Sequence, residues 1–165
     1  MDDKIDEAIR RGLDTRRAQA ALKQAADTQS VTFWLKLKSA VERGVEKINQ
    51  SPESTGLAGS TLVYAIKSET EFSVENKSLP GRTITIRNCT AFLNIAVEIR
   101  TWQGHSQPTK TELEGNEEIH FKMNDDTMLF VQTADNGRKF YDANELAVYV
   151  LEKFWSSELK ALAPL

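Results

Sequence analysis

Two histidines are the side chains best suited to acid–base or metal chemistry in this 165-residue chain. His120 lies in a stretch of alternating apolar and polar residues, so a strand there would place Glu118 and His120 on one face. A histidine beside a carboxylate can move a proton, and the two side chains could share a metal ion. A metal site needs a third ligand that the sequence does not supply. We therefore expect neither a metal nor a cofactor.

The other reactive side chains lack the neighbours that catalysis requires. His105 lies in a polar loop, and Cys89, the one cysteine, has neither a disulfide partner nor a base that the pattern places beside it. The chain carries no glycine-rich phosphate loop and no Gly-x-Ser-x-Gly motif. We predict no catalytic residue, and an enzyme of unfamiliar type is the third of three functional hypotheses.

A binding surface is predicted at the end of the longest strand pattern, residues 91–102. Its apolar residues alternate on one face, and Arg100 and Trp102 fall on the other. Tryptophan and arginine are enriched in protein interfaces, because each combines a large contact area with a hydrogen-bonding group. The predicted binding residues are Arg100, Trp102, His105 and His120.

A sheet must position these side chains. From residue 61 onward apolar residues recur at every second position for about seventy residues, which is typical of an antiparallel sheet with one buried face. The sequence Asp135-Asn136-Gly137 predicts a type I′ turn. Asp142 and Glu145 then form the pattern of a capping box, which predicts a helix over about residues 143–160 with Tyr149 on its wet side.

Helices are predicted before the sheet. Residues from Trp34 to Ile48 carry apolar side chains at spacings of three and four, which is one stripe of an amphipathic helix. The polar patch 27–30 predicts a break before this helix, and residues 51–60 predict a loop after it. The fold class is α+β: N-terminal helices, then a largely antiparallel five- to seven-stranded sheet with a C-terminal helix packed on one face. We divide the chain into an N-terminal helical extension, 1–27, and one α+β domain, 31–162.

Composition limits the partners. The net charge of -3 and the pI near 5.5 disfavour binding to nucleic acid, because neutralisation of phosphates supplies that affinity. The basic run between Arg10 and Lys23 is interpreted as a solvated helix face. No apolar stretch reaches the length of a membrane span, and the acidic start and single cysteine favour a cytoplasmic location.

These observations favour a non-catalytic protein-binding or assembly domain. It would engage a protein partner, or itself as a homo-oligomer, through the free sheet face or the N-terminal helix. The alternative hypothesis is the binding of a small apolar molecule or lipid between the sheet and the C-terminal helix.

We predict that the chain folds without residues 1–26, because they offer few large apolar side chains to a core. Deletion of these residues should change the melting temperature little, as measured by calorimetry. Loss of cooperative unfolding in the truncated chain would contradict this prediction.

Overall fold

The computed structural model describes residues 2–104 and 109–155. In chain order its elements are α1 (Asp2–Asn49), α2 (Pro52–Leu57), β1 (Leu62–Ser68), β2 (Glu71–Asn76), β3 (Gly81–Asn88), β4 (Phe92–Thr101), β5 (Lys110–Met123), β6 (Leu129–Thr133), β7 (Lys139–Phe140) and α3 (Ala143–Glu152). This order confirms the predicted α+β class.

The seven strands form one antiparallel sheet in the order β1-β2-β3-β4-β5-β6-β7. Each strand pairs with its neighbours in the sequence. One face is apolar: Ile95 of β4 pairs with Ile86 of β3, and both are fully buried, as is Leu93. Because side chains alternate along a strand, the other face carries short polar residues such as Ser73 and Thr85, which pair across β2 and β3.

The helix α1 is continuous through Asp27–Ser30, so the predicted break is wrong. Two hydroxyl groups in or just after this segment donate to carbonyls of the preceding turn of the helix. Ser30 Oγ donates to the carbonyl of Asp27 at 3.0 Å, and Thr32 Oγ1 donates to that of Thr28 at 3.1 Å. Such bonds let serine and threonine remain within a helix at small cost.

Gln29 joins α1 to the hairpin between β5 and β6. Its side-chain amide donates to the carbonyl of Thr127 and accepts from the backbone N–H of Leu129, both at 2.8 Å. The two bonds pair an amide with backbone groups about 100 positions away along the chain. This contact fixes the point at which α1 meets the domain.

The second half of α1 and the helix α3 cover the apolar face of the sheet. The two helices approach closely at Gly44, where an added Cβ would collide with the side chain of Leu151. Glycine at this position therefore allows the contact. The buried residues of α1 are Phe33, Trp34, Leu37, Ala40, Val41 and Val45.

Two loop predictions are corrected. Residues 51–60 contain the short helix α2, which is capped by Ser51 and begins at Pro52, a residue whose fixed φ suits a first helical position. In the turn after β6 only Gly137 has a positive φ, 69°. A type I′ turn requires positive φ at two positions, so the predicted turn type is wrong.

The helix α3 begins as predicted. The backbone N–H of Glu145 donates to Asp142 Oδ1 at 2.9 Å. The reciprocal bond differs from a standard capping box, because the Glu145 carboxylate accepts from the N–H of Tyr141 at 3.1 Å. The helix ends at Glu152, and positions 156–160 of the predicted helix lie outside the described residues.

Trp34 is 4% exposed, contacts Phe72 at a ring distance of 5.3 Å, and donates its indole N–H to the carbonyl of Glu69. We predict that Trp34→Ala lowers the free energy of unfolding by about 3–5 kcal/mol, as removal of a buried aromatic side chain does. Denaturant unfolding at neutral pH measures it. Leu35→Ala is the control, because Leu35 is exposed and its loss should cost under about 0.5 kcal/mol. Equal effects of the two substitutions would contradict the burial of Trp34.

Candidate functional site

His120 and Glu118 form a solvated pair on the open face of the sheet. The distance from His120 Nε2 to Glu118 Oε2 is 3.1 Å, and both side chains are more than one third exposed. The imidazole also lies against the ring of Phe92, at a centroid distance of 5.4 Å. The pair lies on a shared face, as strand alternation requires, and its partial exposure to solvent weakens the electrostatic coupling.

Arg100 supports a loop at the far end of β4. It pairs across the sheet with Gly81, and its Nη2 donates to the carbonyl of Asn76 at the end of β2. Its Nε is buried without a hydrogen-bond partner among the described residues. The guanidinium is thus committed in part to the link between β2 and β3.

The predicted binding residues do not converge on one site. His120 pairs with Phe92, at the start of β4, whereas Arg100 lies eight positions further along that strand, which is about 26 Å at 3.3 Å per residue. Trp102 follows the end of β4 and is 60% exposed, so it lies at the end that carries Arg100. His105 lies outside the described residues.

Cys89 is half-buried, and its Sγ lies 4.0 Å from the carbonyl oxygen of Arg87. Within residues 2–104 and 109–155, no three His, Cys, Asp or Glu side chains are grouped to hold a metal ion.

Sequence reasoning missed a cluster on the covered face of the sheet, around Glu117. The hydroxyl of Tyr149 donates to Glu117 Oε2 at 2.9 Å. Lys153 Nζ lies 2.9 Å from Glu117 Oε1 as an ion pair, although its direction does not meet hydrogen-bond geometry, and 4.2 Å from the centre of the Tyr149 ring. Tyr149 is therefore half-buried, and its predicted place on the wet side of the helix is wrong.

Two signals in the sequence point to this cluster. Glu117 lies two and four positions before Ile119 and Phe121, so strand alternation puts its carboxylate on the same, buried face. A buried charge needs a partner. Tyr149 and Lys153 are four apart on one helix face. Burial raises the pKa of Tyr149 well above 10, and the hydrogen bond to the Glu117 carboxylate raises it further.

The first half of α1 is exposed along its whole length. Every residue from Asp2 to Gln24 is exposed, and we call this segment the arm. It is about 35 Å long at 1.5 Å per residue. Its surface is not uniformly polar: Ile5, Ile9 and Leu13 are about half exposed, and Leu22 lies further along.

One side of the arm continues the buried side of α1. Steps of seven residues lead from the buried Phe33 back through Ala26 to Gln19, Gly12 and Ile5, and such steps stay on one side of a helix with a drift of about 20° each. We call this side the arm stripe. Its residues, at three adjacent heptad positions, are Asp2, Ile5, Asp6, Ile9, Gly12, Leu13, Arg16, Gln19, Ala20 and Lys23.

Comparisons of this chain with protein-family models, with curated proteins and with solved structures find no match. No described helix combines the length and the apolar character needed to cross a bilayer.

The Tyr149 contact predicts a pH dependence. The folded chain keeps the phenol proton above pH 10, where the unfolded chain loses it, so this group's contribution to stability is complete below about pH 10 and falls as the pH rises further. Tyr149→Phe should lower the free energy of unfolding at pH 7 by about 1–2 kcal/mol, because Glu117 loses a donor. It should also make stability fall less steeply above pH 10.

Urea unfolding at pH 7 and at several alkaline pH values measures both effects. The matched control is Tyr141→Phe, because Tyr141 is an exposed tyrosine whose hydroxyl makes no such contact. An unchanged alkaline slope in Tyr149→Phe would contradict the assignment.

Proposed function

We propose that this chain is a non-catalytic protein-binding or assembly protein. The α+β domain is the scaffold, and the arm is the main binding surface. The observation that carries the proposal is the arm stripe, which extends the core-covering side of α1 beyond the sheet that it covers.

The exposed apolar side chains support binding by the arm. Ile5 and Ile9 are 54% and 55% exposed. Full burial of an aliphatic side chain of this size contributes about 1.5–3 kcal/mol relative to full exposure, so a partner that covers the stripe gains a substantial free energy. A helix with i, i+3 and i+4 anchors is also a common form of recognition element.

The open face of the sheet is a second candidate surface for the same function. Trp102 and Arg100 lie at one end of it and His120 at the other, so a partner would need to be large to touch all three. The centre of the face carries short side chains, among them the half-buried Thr85 and Ala96, which pair across β3 and β4.

The alternative function, binding of an apolar molecule between sheet and helix, has less support. The side chains at that interface, such as Leu37, Val41 and Leu146, are fully buried and fill it. The depression beside Arg82 and Phe154, of about 300 Å³, lies at the surface, and its walls are polar and apolar in similar parts. The solvated His120 pair likewise favours an enzyme only weakly.

We further propose a cytoplasmic location and a protein as the partner. The single cysteine and the acidic net charge support these assignments.

The experiment is site-specific photo-crosslinking in cells that produce the full chain. A photoreactive amino acid replaces Leu13, on the arm stripe, or Ala18, on the opposite side of the arm. We expect a crosslinked product of one defined mass from position 13 and little from position 18, because a seated partner covers one side only. The absence of any product from position 13, with the chain folded, would overturn the proposal.

A further inference from the structure

We propose that the arm binds a second copy of this chain, with the two arms antiparallel. This inference rests on the proposed function and names its partner.

Charge is segregated along the arm. The first two turns hold Asp2, Asp3, Asp6 and Glu7 with a single lysine, whereas the following turns hold Arg10, Arg11, Arg16, Arg17 and Lys23 with a single aspartate. Each end of the arm therefore complements the other end of an identical arm. A two-fold axis relates equal surfaces, so one such arrangement satisfies both copies.

The charges on the arm stripe itself make this complementarity specific. Asp2 and Asp6 lie at its start, and Arg16 and Lys23 lie at its end. Overlap of residues 2–23 with the same residues of an antiparallel copy brings Asp2 level with Lys23. It leaves Asp6 about 4.5 Å along the axis from Arg16, within reach of a long side chain. Both pairs form twice.

A parallel pair of arms is disfavoured by the same residues. It would place Asp2 against Asp2, Arg16 against Arg16 and Lys23 against Lys23 of the second copy, so every charged layer of the stripe would hold like charges. Charges beside an interhelical seam select orientation in this way.

The apolar residues fit an antiparallel seam. In the same overlap Ile5 lies level with Ala20, and Gly12 lies level with Leu13 near the two-fold axis. Large residues thus face small ones, which lets two helices approach closely.

The remaining residues of the stripe also find suitable neighbours in this overlap. Ile9 lies level with Arg16, whose methylene stem can cover it while the guanidinium reaches outward. Gln19 lies level with Asp6, and its side-chain amide can donate a hydrogen bond to that carboxylate. The polar side chains of the stripe therefore meet polar partners or water across the seam.

The first test is the association state of the purified full chain by sedimentation velocity at concentrations up to about 100 µM, where a weak homodimer is populated by mass action. We expect a dimer. Arg16→Glu with Lys23→Glu should raise the dimer Kd at least about tenfold, because the acidic start then faces acidic residues. Addition of Asp2→Lys and Asp6→Lys should restore the wild-type Kd.

The four-residue charge exchange distinguishes the two orientations. In a parallel dimer each exchanged charge would still face an identical charge, so the exchange would not restore the dimer Kd. Arg10→Glu with Arg17→Glu is the matched control: it makes the same change in net charge outside the stripe and should leave the dimer Kd nearly unchanged. An equal loss of association in this control would overturn the assignment to the stripe.

A distance measurement tests the orientation directly. A nitroxide is placed by Asp3→Cys, off the stripe, in a Cys89→Ser background. Two labels in an antiparallel dimer lie about 28 Å apart along the axis, whereas parallel arms hold them about 10 Å apart. A short distance would overturn the antiparallel arrangement.

Failure of this inference is distinguishable from failure of the proposed function. A chain that stays monomeric, but that gives a crosslink from position 13 to a product other than its own dimer, would overturn the second copy and leave the binding function standing. A dimer whose crosslinks and charge effects map away from the arm would overturn this inference and the arm as the main binding surface.

Discussion

The apolar face of the antiparallel sheet has to be covered, and the rest of the architecture follows from how α1 covers it. Gln29 joins α1 to the hairpin between β5 and β6, and Asn49 joins it to Leu62 of β1, so α1 contacts both sides of the sheet. The helix α3 packs beside it. Gly44 lets the two helices lie close enough together to form one layer over the strands.

The parts of the fold that depend on local periodicity are predictable from the sequence. Alternation identified the strand that contains Leu93 and Ile95, and spacings of three and four identified the buried stripe around Trp34. The cap at Asp142 is a contact between residues three apart. In each case a stretch of about a dozen residues contains the whole pattern that identifies the element.

Two of the incorrect predictions, the helix break at 27–30 and the exposed place of Tyr149, involve contacts between distant segments. The polar patch 27–30 has the composition of a helix end, but Gln29 finds its partners in a hairpin about 100 positions later. Tyr149 is polar enough for a wet helix face, yet a carboxylate on the covered side of β5 binds it. The distance between Arg100 and His120 depends on strand register, which alternation alone does not give, and the binding role of these residues stays a prediction.

The unbroken course of α1 has a mechanical consequence. Helices kink at proline or at local disruptions, and residues 2–49 contain no proline. Gln29 holds the helix to the domain at the level where the arm begins to project. The arm therefore projects as one continuous helix from the contact at Gln29. A partner bound at the far end of the arm is held at a defined distance from the sheet. A force on that end is transmitted first to the hairpin between β5 and β6.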